Sequence, residues 1–203
     1  MKAFTLKNYA FIIGALYFLL GFTLLPYYVY QTNPDGISYI SISYRYLNHD
    51  YFNAVNGGWA PMISWLLIPF LFLKISPPLA FLIINVISGF VALLLFGKLL
   101  SVFNIGAKAK LIGYAVSAVI LLQLALCYLT PDLLTLSILL AILYIAIKNF
   151  YALTYKNSIL LGLLGTIGYF CKAYVFGFFL LYLTFFSFLD FFFYKKNQRV
   201  KIV

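Results

Sequence analysis

The chain of 203 residues is 65% hydrophobic and only 9% charged, and its mean hydropathy is +1.03. A soluble domain carries about a quarter charged residues, so this chain cannot cover a water-facing surface, and a lipid bilayer is the solvent that suits it. The net charge of +10 does not indicate nucleic-acid binding, because the lysines cluster at the ends of apolar runs, where they act as topology signals.

The apolar runs predict an all-α, polytopic transmembrane helix bundle of about six spans, forming a single transmembrane domain over residues 1–203. Residues 9–30 form the first span, residues 31–78 an outer loop, and residues 79–194 the other five spans. Those five are predicted at 79–100, 111–129, 131–147 and, as two helices separated by Lys172, within 158–194. Placing the lysine-rich ends in the cytoplasm puts both termini inside and the 31–78 loop outside.

Two helices are predicted within the outer loop. Apolar residues at Ile37, Ile40, Tyr44 and Leu47 alternate with a polar face that includes Arg45, which is typical of an amphipathic juxtamembrane helix. Residues 59–74 are apolar but short and contain Pro69, and a full span there would invert everything downstream. We therefore expect an interfacial or re-entrant helix in that stretch.

The acidic residues are few, and most of them fall on the predicted outer side. Glutamate is absent, and the aspartates are Asp35, Asp50, Asp132 and Asp190. Asp35 is either a general base or metal ligand at the membrane surface, or the N-cap of the amphipathic helix. Asp50 either orients the loop or shares a divalent metal ion with Asp35. The neighbouring His49 either relays protons, binds the same metal or is simply a solvated side chain.

Other polar residues are candidates for substrate binding on the same side. Asn56 offers an amide in a glycine-containing connector. Asp132 follows Thr130 and Pro131 in a pattern that also suits an ordinary helix start, with Thr130 as the N-cap and Pro131 at the first helical position. Lys172 lies in an apolar tract, where a charge is costly and often marks a site, although it can also snorkel to the interface. It has no acidic partner nearby in sequence, so a bound phosphate is a suitable counter-ion. Arg45 is a second phosphate ligand or a contact to anionic headgroups.

The order of these features resembles the GT-C glycosyltransferases, in particular the protein O-mannosyltransferase and aminoarabinose-transferase branch and its bacterial relatives. The resemblance covers nearly the whole chain through short motifs. The matching residues are Asp35 with Tyr39, the Trp59-Ala60-Pro61-Met62-Ile63-Ser64-Trp65-Leu66 segment, Thr130-Pro131-Asp132, and Gly168-Tyr169-Phe170-Cys171-Lys172-Ala173.

The resemblance implies transfer of a sugar from a polyprenyl-phosphate-linked donor on the non-cytoplasmic face of a membrane, here a bacterial plasma (inner) membrane. It implies that Asp35 activates the acceptor, that Lys172 holds the lipid phosphate and that Asp50 supports the loop. Gly36 stands where many relatives have a second acid. Such enzymes normally have further spans and often a soluble carboxy-terminal domain, so we expect the chain to be either the amino-terminal part of a longer protein or a catalytically incomplete protein.

Two other functions suit a chain of this composition. One is a transporter or scramblase of lipid-linked substrates, although the paired broken helices typical of transporters are not evident. The other is a non-catalytic membrane subunit that binds a partner through Gly162, Gly165 and Gly168, since small residues allow close helix approach. The sugar, the acceptor and any metal requirement stay open at this point.

Overall fold

The computed structural model describes residues 6–149 and 154–189. Asp190 and the basic residues after it lie outside this part of the chain, as does the end of the predicted last span. The described residues fold into helices and contain no strand, which confirms the all-α fold class. In chain order these helices are α1 (Leu6–Tyr28), α2 (Pro34–Leu47), α3 (Tyr51–Ala54), α4 (Met62–Phe72), α5 (Pro77–Val102), α6 (Ala107–Cys127), α7 (Asp132–Lys148), α8 (Tyr155–Cys171) and α9 (Tyr174–Leu189).

Three of these helices, α1, α5 and α6, are long and apolar enough to cross a membrane. Large apolar side chains on their outer surfaces are exposed; Phe11 on α1 and Val119 on α6, for example, are 77% and 67% exposed. A helix that is apolar on all sides is either buried or surrounded by lipid. These exposed side chains therefore indicate a membrane protein.

Helix α5 forms the centre of the bundle and packs against α1, α6 and α7. Its buried side chains, including Phe81, Val86 and Leu93, belong to the main hydrophobic core. A second core lies between α7, α8 and α9, around Ile142, Leu161 and Cys171. The two cores place the start of α7 next to the connection between α8 and α9.

The apolar tract over residues 158–194 breaks into two helices at the predicted place. Helix α8 ends at Cys171, Lys172 has extended backbone angles (φ −155°, ψ 130°), and α9 begins at Tyr174. Gly168 is buried where α8 meets α9, and a Cβ atom there would lie 2.6 Å from Val175 and 3.3 Å from Ile138. The stripe of small residues therefore packs within the chain at Gly168, whereas only Gly162 leaves open space.

Helix α2 packs on α4 with a face that the sequence pattern did not single out. Its buried residues are Gly36, Tyr39, Ile42 and Ser43, whereas Ile37, from the predicted apolar stripe, is 57% exposed. Both sets have helical spacing, so α2 carries two adjacent apolar stripes. The stripe that contains Ile37 is the one predicted for the membrane surface, and Ile37 and Tyr44 on it are exposed, whereas Ile40 packs partly against the main core. The second stripe, which packs on α4, was not predicted.

Two lysines, at the carboxyl ends of α5 and α7, lie near the same aromatic ring. The ammonium groups of Lys98 on α5 and Lys148 on α7 lie 5.9 and 5.6 Å from the ring centroid of Tyr144. The carboxyl ends of α5 and α7 therefore lie at the same end of the bundle, as expected for helices that run side by side.

Candidate functional site

A cavity of about 470 Å³ lies at the other end, where α2 begins and where α8 gives way to α9. Its wall is completed by the irregular segment 56–61 that precedes α4. Asp35 and Lys172 both line it, so the structure brings these two predicted site residues to one cavity. The other lining residues are Tyr39, Asn56, Gly57, Gly58, Trp59, Ala60, Pro61, Tyr169, Phe170, Ala173 and Tyr174.

Asp35 lies in the first turn of α2, and it is not the N-cap. The cap position belongs to Asn33, with Pro34 at the start of the helix. Asn33 does not cap the helix through its side chain either, because its Oδ1 accepts a hydrogen bond from the backbone N–H of Leu129 at 3.0 Å. The Asp35 carboxylate is exposed and makes no hydrogen bond or ion pair with a described residue. It is therefore free to accept a proton or a ligand hydrogen bond.

Gly36 lies where the structure leaves no room for a side chain. A Cβ atom at this position would lie 2.5 Å from Cβ of Leu129 and 3.1 Å from its carbonyl oxygen. These atoms belong to the connection between α6 and α7, which a further hydrogen bond of 2.7 Å ties to α5 through Asn85 Nδ2 and the Tyr128 carbonyl. Any side chain at position 36 would push α2, and Asp35 with it, away from α7.

Tyr39 stands one helical turn after Asp35 and is only 4% exposed. Its ring packs edge-on against Trp59, with ring centroids 5.0 Å apart, and its backbone carbonyl accepts a 3.0 Å hydrogen bond from Ser64 Oγ on α4. Burial, followed by the negative charge of Asp35, raises the pKa of Tyr39 to about 12. The phenol is therefore neutral at physiological pH, and its hydroxyl has no described hydrogen-bond partner, so it can donate to a ligand in the cavity.

Lys172 forms an ion pair with Asp132, at 2.5 Å between Nζ and Oδ1. The side chains are 27% and 55% exposed, respectively. The expectation that Lys172 has no acidic partner is therefore wrong for the folded chain, because the partner is distant in sequence and only the packing of α7 against α8 brings it close. Asp132 opens α7 directly, with Pro131 at the cap position, so Thr130 is not the N-cap that the sequence suggested.

Asn56 lines the cavity, but its side chain is used to fold the wall. Its Oδ1 accepts hydrogen bonds from the backbone N–H groups of Gly58 and Trp59 at 3.1 and 2.8 Å. Its Nδ2 donates to the Ala54 carbonyl at 3.2 Å. Asn56 therefore positions Trp59 against Tyr39, and a direct contact to substrate would have to compete with these bonds.

The remaining predicted residues lie around the other end of α2, away from the cavity. Arg45 donates to the Asn53 carbonyl, Asp50 accepts from Asn53 Nδ2 at 2.9 Å, and His49 contacts the Tyr51 hydroxyl at 2.9 Å. The 14 residues of α2 span about 21 Å. Asp50 and His49 are thus too far from Asp35 to share one metal ion, and Arg45 is not among the cavity residues.

Within residues 6–149 and 154–189, no group of three or more His, Cys, Asp or Glu side chains is arranged to hold a metal ion. The groups that line the cavity are one ammonium, one carboxylate, a buried phenol and several aromatic rings. This set offers ammonium and phenol donors to a polar or phosphate group of a ligand, and an apolar surface to its ring or hydrocarbon part.

Sequence reasoning missed the aromatic part of the wall. Tyr169 and Phe170 precede Lys172, and Tyr174 follows it. The sequence could have indicated them, because all three aromatic residues lie within three positions of the only lysine in the 158–194 tract. The contribution of Ser64 carried no such signal, because a serine in an apolar helix is usually only a small packing residue.

Comparison of the chain with known protein families, with curated proteins and with solved structures gives no match.

Proposed function

We propose that this chain is a membrane glycosyltransferase, or the amino-terminal part of one, that transfers a sugar from a polyprenyl-phosphate-linked donor to an acceptor on the non-cytoplasmic face. The observation that carries the proposal is that one cavity is lined both by Asp35, whose carboxylate has no partner among the described residues, and by the ammonium group of Lys172. Its volume of about 470 Å³ falls within the roughly 300–1,000 Å³ typical of small-molecule sites.

Each group has a role in such a reaction. Asp35 accepts the proton of the acceptor as that group attacks the anomeric carbon of the sugar, and the bond from this carbon to the phosphate oxygen breaks. Negative charge develops on the leaving phosphate, and Lys172 stabilises it. The neutral hydroxyl of Tyr39 donates a hydrogen bond to the sugar or phosphate, and the aromatic wall packs on the sugar ring or the first isoprene units.

The membrane arrangement proposed with this function has about six spans, α1 and α5 to α9, with α2 and α4 lying at the outer interface. Exposed Ile37 and Tyr44 on α2 support an interfacial position, because they would meet lipid there. The lysines around Tyr144 mark the opposite, cytoplasmic end. In a bacterial plasma membrane the cavity would then face outward.

The arrangement is tested by accessibility to a membrane-impermeant thiol reagent in intact cells. In a variant without the native cysteines, Gln31→Cys should label from outside and Asn104→Cys only after the membrane is permeabilised. Both positions are exposed. Labelling of both from the same side would refute the arrangement.

The catalytic assignment is tested with Asp35→Asn in proteoliposomes supplied with radiolabelled polyprenyl-phosphate-linked hexose or pentose. Loss of a general base typically lowers the rate about 100- to 10,000-fold, and we expect a loss in that range. Asp50→Asn is the matched control, because Asp50 bonds Asn53 outside the cavity. Equal turnover by wild type and Asp35→Asn would end the assignment, and lipid flipping without sugar transfer would favour a scramblase.

A further inference from the structure

The charges around the cavity are unbalanced toward the negative. Among the residues that line it, Lys172 is the only cation, and Asp35 is the only anion. Asp132 adds a second carboxylate directly behind the ammonium group. The other titratable groups that face the cavity from the neighbouring helices are the phenols of Tyr39, Tyr169 and Tyr174. One positive charge is therefore opposed by two negative charges before any ligand binds.

A phosphate held by Lys172 must share the ammonium group with Asp132. The ammonium has three donors, and Asp132 Oδ1 occupies one of them at 2.5 Å. Charge-assisted bonds of about 2.8 Å from one tetrahedral nitrogen place two acceptor oxygens roughly 4–5 Å apart. The bound phosphate would thus lie within direct electrostatic reach of the Asp132 carboxylate.

Two kinds of phosphate differ in charge at this distance. A phosphodiester carries one negative charge, whereas a phosphomonoester carries about −1.5 to −2 at pH 7 because its second pKa is about 6. Lys172 attracts the further unit charge of the monoester, but it offsets only one of the two carboxylates, and a carboxylate left uncompensated about 4 Å away lowers affinity about fivefold in bulk water. The Asp132 side chain is 55% exposed, so the bulk-water value is the appropriate guide to this penalty.

We propose that Asp132 makes this site selective for a phosphodiester monoanion over a phosphomonoester dianion. The proposal rests on the proposed function, in which the lipid-linked sugar donor is the diester and the lipid phosphate left after transfer is the monoester. Asp132 is a specificity residue that acts through Lys172. Its ion pair neutralises the ammonium in the empty site, and its repulsion of the second phosphate charge favours release of the product.

The experiment uses two probes that differ by one methyl group: geranyl phosphate and its methyl ester. Binding to the full chain is measured by microscale thermophoresis in micelles of a non-ionic detergent that contains no phosphate. At pH 8 we expect wild type to bind the methyl ester at least fivefold more tightly. At pH 5 both probes are monoanions, and the ratio should approach one.

Asp132→Asn should lower the pH 8 ratio at least threefold and tighten the binding of both probes, because Lys172 then has no carboxylate partner. Asp50→Asn is the matched control, since it removes the same charge outside the cavity and should leave the ratio unchanged. The wild-type pH comparison needs no variant and stands even if Asp132→Asn does not fold.

Equal binding of the two probes by wild type at pH 8 would overturn the selectivity and leave the phosphate site, and with it the proposed function, standing. An unchanged ratio in folded Asp132→Asn would overturn the role of Asp132 alone. Binding of neither probe at either pH would overturn both this proposal and the proposed function.

Discussion

The contact between Gly36 and Leu129 makes a sharp prediction, because it holds Asp35 in place without a polar bond. In Gly36→Ala, the added methyl group would lie 2.5 Å from Cβ of Leu129, an atom that cannot move without its backbone. Ala at this position would otherwise stabilise the helix by about 0.5–1 kcal/mol. Overpacking costs about 1–3 kcal/mol, which is more than the helix gains. We therefore expect the free energy of unfolding to fall by about 1 kcal/mol.

For a chain of this size, a loss of about 1 kcal/mol lowers Tm by roughly 2–4 °C. Thermal unfolding in detergent, followed by tryptophan fluorescence, measures it close to the site, because Trp59 packs on Tyr39 and Trp65 on Tyr46. Sugar transfer should fall much further, by about 100-fold, since a displacement of about 1 Å of a catalytic group has an effect of that size.

Gly57→Ala is the matched control for this prediction. Gly57 lines the same cavity, yet a Cβ atom there would meet nothing within 4 Å. We expect Gly57→Ala to change the free energy of unfolding by no more than an ordinary surface substitution does, about 0.5 kcal/mol, so its Tm should stay close to that of wild type. Full stability and full transfer in Gly36→Ala would show that α2 is not held against Leu129, and the explanation of the Asp35 position would fail.

Three further predictions concern the supports of the site. Asn33→Ala removes the acceptor of the Leu129 N–H, and thermal unfolding should show a loss of about 1–2 kcal/mol; an unchanged Tm would contradict this. Gly168→Ala should lower Tm because its Cβ would meet Val175 at 2.6 Å, whereas Gly162→Ala meets nothing within 4 Å and should not; equal effects would refute the packing of α8 on α9. The raised pKa of Tyr39, about 12 against the usual 10, means that the folded state keeps its proton longer, so stability present below pH 10 is lost as pH rises toward 12. In Tyr39→Phe, the decrease in Tm between pH 10 and pH 12 should be smaller than in wild type. Identical Tm-versus-pH profiles for the two proteins would contradict the raised pKa of Tyr39.

Much of the fold followed from apolar run length and from a few interrupting residues. The break at Lys172 was predicted because a lysine within a long apolar tract separates two lengths that each suit a helix. The face of α2 that packs on α4 was not predicted, because Ile37 and Tyr39 belong to two stripes with the same period. Only the position of α4 decides which stripe is buried.

The sequence identified several residues of the candidate cavity, but it did not predict which of them contact each other. Asp35 and Lys172 stood out because charges are rare in this chain, and both reach the cavity. The pairing of Lys172 with Asp132 could not be read from sequence, because the two residues have no periodic relation and meet only through tertiary packing. Asp50 was grouped with Asp35 because both fall in one loop, but the rigid length of α2 keeps them apart.

The chain reversal at Lys172 links the site to the thickness of the bilayer. As a span, the 17 residues of α8 measure about 25 Å along the helix axis, a few ångströms less than a typical hydrocarbon core of about 30 Å. In the arrangement proposed above, in which α8 is a span, the membrane would thin around α8 or the ammonium group would lie below the headgroups. Thin, fluid membranes would hydrate the site, whereas thick, sterol-like ones would draw it into hydrocarbon.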